Sequence, residues 1–150
     1  MPVLSTDEIG RLLTVCSGSA FEDLRDRAIL RVFLDTGLRK SEVAGLKAAD
    51  VNLLEQTLFI RQRKGGRSAY VPIGVRTAKE LDRYLKARSR HRYGSLEDLR
   101  ICVRGGFGSE SIYAMVVDRG KRAGIFGLHP HSFRHTFADA WLKAGSAAPP

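Results

Sequence analysis

The chain is 150 residues long, enough for one domain with a real hydrophobic core and too short for two of ordinary size. Twenty-five Lys and Arg against sixteen Asp and Glu leave a formal charge of +9, which points to a polyanionic partner, nucleic acid first. Two cysteines exclude a disulfide framework and a four-thiolate metal site; no apolar run resembles a signal peptide or approaches the roughly 20 residues of a membrane span, so a cytoplasmic setting is expected.

Ser5 and Glu8 form a capping-box pattern ahead of Ile9, Leu12, Leu13 and Cys16, which recur at helical spacing and predict a first helix. A second helix is predicted from about Phe21 to Thr36, with Leu24, Ala28, Ile29, Val32 and Phe33 as its apolar stripe and Gly37 as its stop. Ser41 to Leu46 reads as a short helix, which leaves Arg39 at a junction between two helices.

The period then changes. Residues 57–62 and 68–72 flank Arg63-Lys64-Gly65-Gly66-Arg67 and read as a β-hairpin with a basic tip; Val51 to Leu53 is a candidate third strand. From Thr77 to about Arg92 a surface helix is expected, with Ala78, Leu81 and Leu85 inward and Lys79, Arg83, Lys86, Arg88 and Arg90 outward. Ile101-Cys102-Val103 is a short extended candidate, and the glycines from Gly105 to Gly108 form a loop before a helix over Ser109 to Arg122. That loop lacks the Gly-Lys-Ser/Thr ending of a phosphate-binding P-loop. The last helix is expected from Pro130, suited to a first helical position, to Ala144, with a frayed tail from Ser146. Phe133, Phe137 and Trp141 along it read as core residues.

The segment His129-Pro130-His131-Ser132-Phe133-Arg134-His135-Thr136 carries the most chemistry. Residues three apart share a helical face, so His131 and Arg134 can meet one phosphate or carboxylate. Arg134 offers a planar fork of donors and His131 a proton exchangeable near neutral pH. His131 and His135, four apart, also invite a zinc reading, but no Glu follows the first His as H-E-x-x-H requires.

Four features stand in order: Thr36-Gly37-Leu38-Arg39-Lys40-Ser41-Glu42-Val43, the Lys64 hairpin, the Gly124 turn, and His131-Ser132-Phe133-Arg134-His135-Thr136. Together they resemble the catalytic domain of tyrosine recombinases, the phage integrase family, over nearly the whole chain. The resemblance implies an α+β fold, mainly helical with a small antiparallel β-sheet, and double-stranded DNA as partner. In such enzymes a tyrosine attacks a DNA phosphodiester to form a 3′-phosphotyrosyl link, and no cofactor is needed.

By this resemblance Arg39 and Arg134 clamp the scissile phosphate, as guanidiniums that stay charged and bond two oxygens at once. Lys64 on the hairpin tip protonates the departing 5′-oxygen, and His131 serves as acid/base or hydrogen-bond partner. Glu42 orients Arg39 or supports the local fold, and His135 supports the fold. Arg63, Arg67 and Lys40 supply DNA-backbone contacts. Ala69 departs from the family pattern, standing where many relatives carry a second basic residue.

The sequence ends at Pro150, soon after Arg134. The family places a second His or Trp and the nucleophilic tyrosine beyond that point, and Tyr70, Tyr84, Tyr93 and Tyr113 all precede His131. The expectation is thus a partial catalytic domain over 1–145 with a flexible tail over 146–150. It lacks the N-terminal core-binding domain and a nucleophile, and it is inactive alone. Its partners are expected to be DNA and either a second copy or a full-length recombinase subunit; nucleoid association follows. The alternatives are a non-catalytic DNA-binding accessory protein and, behind it, a zinc-dependent hydrolase.

Overall fold

The computed structural model describes residues 3–61, 66–90 and 108–144. Helix α1 (Thr6–Thr14) starts where the capping box placed it: Ser5 Oγ accepts from the Glu8 N–H at 3.1 Å and Glu8 Oε1 accepts from the Ser5 N–H at 2.9 Å. Two donors that a helix start leaves orphaned are thereby satisfied. Helix α2 (Phe21–Thr36) has the predicted span, followed by α3 (Lys40–Ala44) and a single 3-10 turn at Ala48–Asp50.

Three short strands follow, β1 (Val51–Asn52), β2 (Thr57–Ile60) and β3 (Ala69–Pro72), antiparallel in that spatial order. The register pairs Leu58 with Val71 and Phe59 with Tyr70. Alternation sends Leu58 and Ile60 into the core and leaves Phe59 and Tyr70 on the outer face, their rings 5.0 Å apart. Pro72 is tolerated at the end of β3 because that strand is an edge. Helices α4 (Val75–Ser89), α5 (Ser109–Arg122) and α6 (Pro130–Lys143) complete the described chain.

Helix α2 is the centre. It packs against α4 on one side and α6 on another, which is why Ala28, Ile29, Leu30, Val32 and Phe33 are all buried rather than a single stripe. Phe33 stacks on Phe133 of α6 with ring centroids 5.2 Å apart and planes at 11°. Side chains buried this fully each contribute about 2 kcal/mol through burial, so the α2–α6 contact is firmly held. Buried charges on α2 are paired: Arg119 of α5 reaches Asp26 through Nε at 3.0 Å and Asp23 through Nη2 at 2.9 Å, while its Nη1 donates to the Val15 carbonyl at 2.8 Å. Arg27 joins Glu80 of α4 at 2.7 Å and the Cys16 carbonyl at 2.7 Å. Cys16 is fully buried, and that burial first, against the opposing charge of Arg119, pushes its thiol up to about 11.

Two expectations are corrected. Arg88 is 2% exposed, not on the outer face of α4. It falls on the same side as Leu81 and Tyr84 because residues four and seven apart align on a helix, and its charge masked that periodicity. Phe137 and Trp141 are half-buried; they line a groove of about 440 Å³ with Gly37, Tyr70, Pro72 and Arg134 rather than the core that Phe133 enters. The expected strand over Ile101 to Val103, the second cysteine Cys102, the loop residues Gly105, Gly106 and Phe107, the hairpin-tip residues Arg63 and Lys64, and the tail after Ala144 lie outside the described residues.

Candidate nucleic-acid interface

Two segments far apart in the chain, 36–42 and 129–135, form the site because α6 packs on α2 and lays its first turns beside the turn that ends α2. That turn is Gly37, whose φ of +64° is the left-handed conformation glycine adopts without steric cost. Glycine is needed there twice over, since a β-carbon would lie 2.8 Å from the Phe137 ring. Two residues on, Arg39 precedes α3 in extended backbone, and its N–H donates to Oε1 of buried Glu42 at 2.8 Å. Glu42 therefore fixes the backbone from which the Arg39 side chain leaves.

From the other side Pro130 opens α6, and the helix presents His131, Arg134 and His135 at intervals of three and four. Arg134 Nη1 donates to the Gly37 carbonyl at 2.8 Å. The link ties the second arginine to the backbone just ahead of the first. Between the two segments lies an open pocket of about 310 Å³ lined by Arg39, Lys40, Tyr113, His129, His131 and Arg134. A larger cavity of about 720 Å³ between α1 and the end of α5 contains none of these residues.

The pocket is cationic. Among the described residues no acceptor takes the Arg39 guanidinium, which leaves its donors facing the pocket. His131 is exposed, yet its pKa is lowered from 6.5: partial loss of hydration comes first, followed by the charges of His135, Arg134, His129 and Arg39. Its ring stands edge-on to that of His135 at 4.8 Å and nearly parallel to that of His129 at 6.4 Å. Among the described residues no group of three or more His, Cys, Asp and Glu is placed to hold a metal ion. The arrangement can hold one tetrahedral anion through two guanidiniums, with an imidazole alongside to give or take a proton.

Arg39, Glu42, His131 and Arg134 thus come together from two sequence-distant stretches, with Lys40 at the pocket rim. His135 is exposed beside His131, and Arg67 is exposed on the approach to β3. Tyr113 of α5 was not singled out for this pocket from sequence; its ring lies 6.5 Å from His129 at 13° and has the Lys40 ammonium 5.3 Å from its centroid. Nothing local to Tyr113 signals this, because the contact depends on α5 packing against α3.

Comparison with known proteins gives the family and the fold. The family model described as the phage integrase family matches residues 2–148. The chain belongs to the phage integrase family. It is 32% identical over 142 residues to tyrosine recombinase XerA of Pyrococcus horikoshii, covering 95% of this chain and 48% of that protein. It is 36% identical over 155 residues to tyrosine recombinase XerD of Mycobacterium leprae, covering 95% of this chain and 49% of that one. The chain therefore spans about half the length of these curated relatives. The crystal structure of XerA recombinase superposes with a TM-score of 0.85 at 34% identity, over 97% of this chain and 52% of that one. The lambda integrase catalytic core shares the fold, with a TM-score of 0.72 at 18% identity over 97% of this chain and 86% of that one. The predicted fold, mainly helical with a small antiparallel sheet, is the integrase-family fold observed.

Proposed function

We propose that this chain binds double-stranded DNA by seating one backbone phosphate between Arg39 and Arg134, as the phosphate-binding unit of a tyrosine-recombinase catalytic domain that serves DNA integration and recombination. The observation that carries the reading is the meeting of Arg39, Arg134 and His131 at one cationic pocket, with Arg134 anchored to the Gly37 carbonyl. Two guanidiniums suit the reaction because charge develops on the non-bridging oxygens as the phosphate is attacked. His131 is positioned to exchange a proton with the phosphate or nucleophile, and Glu42 positions Arg39. Lys64 is assigned the general-acid role, Lys40, Arg63 and Arg67 the contacts to flanking phosphates, and His135 the support of His131.

The same reading takes residues 1–145 as one partial catalytic unit and gives none of the described tyrosines the nucleophile's role. Tyr84 is fully buried, whereas Tyr70 belongs to β3 and Tyr113 to α5, away from the segment where the family carries its nucleophile. Covalent strand cleavage then needs a tyrosine other than these three. Among the described residues no helix is long and apolar enough to cross a membrane; the proposed setting is the cytoplasm, at the nucleoid.

Fluorescence anisotropy with a labelled duplex tests the phosphate assignment. Arg39→Ala and Arg134→Ala should each weaken binding about tenfold, the scale of one charge-assisted hydrogen-bond pair. Unchanged affinity in both variants would remove the pocket from the interface. A nicked suicide duplex tests the remainder: a covalent adduct at Tyr70, Tyr84 or Tyr113 overturns the assignment of the nucleophile to another tyrosine.

A further inference from the structure

We propose that Lys40 is a third DNA-phosphate ligand of this pocket, held in reserve on the ring of Tyr113 and latched by Glu110, and that bound DNA displaces the latch. The inference rests on the phosphate-pocket reading and adds to it two residues, Tyr113 and Glu110, that the motif pattern does not contain. Lys40 follows Arg39 directly, so its ammonium enters the same pocket from the α3 side. Its Nζ lies 3.5 Å from Glu110 Oε1 and 5.3 Å from the centre of the Tyr113 ring.

The two partners hold it differently. Glu110 is 92% exposed and stands in the first turn of α5, so its carboxylate keeps most of its hydration and the ion pair is weak and screened by salt. Tyr113 is one turn further along the same helix, fixed by its near-parallel neighbour His129, and its ring face attracts a cation without neutralising it. Lys40, at 32% side-chain exposure, is therefore kept near the pocket by the ring and, among the described residues, neutralised by the Glu110 carboxylate alone. An approaching duplex brings a row of phosphates, and the phosphate next to the one seated on Arg39 and Arg134 competes with Glu110 for the ammonium. Lys40 need only rotate its flexible stem, keeping the ring contact, while Glu110 is released to water. In the free protein the carboxylate thus masks one positive charge of the pocket; in the complex that charge faces DNA.

The test is a double-mutant cycle on DNA affinity, read by anisotropy with a short duplex over a series of salt concentrations. Lys40→Ala should weaken binding and lower the slope of log K against log salt by about 1, the signature of one lost phosphate contact. Glu110→Gln should tighten binding by about three- to tenfold in the native background and leave the Lys40→Ala background unchanged. Tyr113→Leu should weaken binding and Tyr113→Phe should not, since the ring and not the hydroxyl holds the ammonium. The proposal is overturned if Glu110→Gln has the same effect with and without Lys40, or if Lys40→Ala leaves the salt slope intact. Arg39→Ala in the same series separates the two readings: its loss of affinity persists when only the latch is wrong and vanishes when the pocket itself is wrong. Glu110 is exposed and Tyr113 is 43% exposed, so these variants retain the fold.

Discussion

Arg134 donates a 2.8 Å hydrogen bond to the carbonyl of Gly37, the residue that ends α2 two positions before Arg39. One guanidinium nitrogen is thus committed to protein backbone, which fixes where the guanidinium sits at the pocket wall. Arg134→Lys keeps the charge but supplies a point ammonium that cannot bond the carbonyl and two phosphate oxygens together. DNA affinity should fall about tenfold with the thermal midpoint nearly unmoved; equal affinity of the Lys variant in an anisotropy titration would show that the fork geometry is irrelevant.

Gly37 sets the spacing between the two arginines. A side chain there meets two costs, the left-handed φ of +64° and the Phe137 ring at 2.8 Å from any β-carbon. Gly37→Ala should lower unfolding free energy by about 2–4 kcal/mol, combining backbone strain with overpacking, and should weaken DNA binding as the Arg134 anchor shifts. Urea denaturation gives the first number. A loss under about 0.5 kcal/mol would mean that α6 can move away from α2 without consequence.

Stability away from the pocket depends on Arg119, whose three nitrogens satisfy Asp26, Asp23 and the Val15 carbonyl in a buried setting. Removing the cation takes from Asp26, which is 3% exposed, one of its two guanidinium partners and leaves Arg25 at 2.9 Å to compensate a buried carboxylate alone. Arg119→Met should cost about 3 kcal/mol, the usual range for breaking a buried pair from one side. Restoring stability by the triple change Arg119→Met, Asp23→Leu and Asp26→Leu would locate the cost in the carboxylates that lose Arg119. No loss in the single variant would show that water reaches the cluster.

Much of this was legible in the sequence. Capping chemistry at Ser5 and Glu8, the stop at Gly37, Pro130 at a helix start and the change to period two at Thr57 are local signals, and the elements follow them closely. What was not legible depends on tertiary packing. Arg88 is charged and buried; Trp141 is aromatic and only half-covered; Tyr113 reaches the pocket because α5 packs against α3. No local pattern specifies which helices meet, so the pairing of Arg39 with Arg134 came from the order of motifs and not from periodicity.

His131 makes the pocket sensitive to pH. Its pKa in the free protein lies below 6.5, first through lost hydration and then through the positive neighbours His135, Arg134, His129 and Arg39. The imidazole is therefore mainly neutral at pH 7. The native state then holds fewer protons than the unfolded chain just under pH 6.5, so His131 contributes stability above that pH and loses it as the pH falls through the native pKa. Bound phosphate acts in the opposite direction, since an anion beside the ring favours imidazolium and raises its pKa in the complex. Binding therefore takes up a proton. The gain in affinity is complete below the pKa of the free protein and is lost as the pH rises through that of the complex. DNA affinity measured at constant ionic strength should rise as the pH is lowered from 8 to about 5.5, and His131→Gln should flatten that rise. A His131→Gln variant with the native pH profile would assign the proton to a different group.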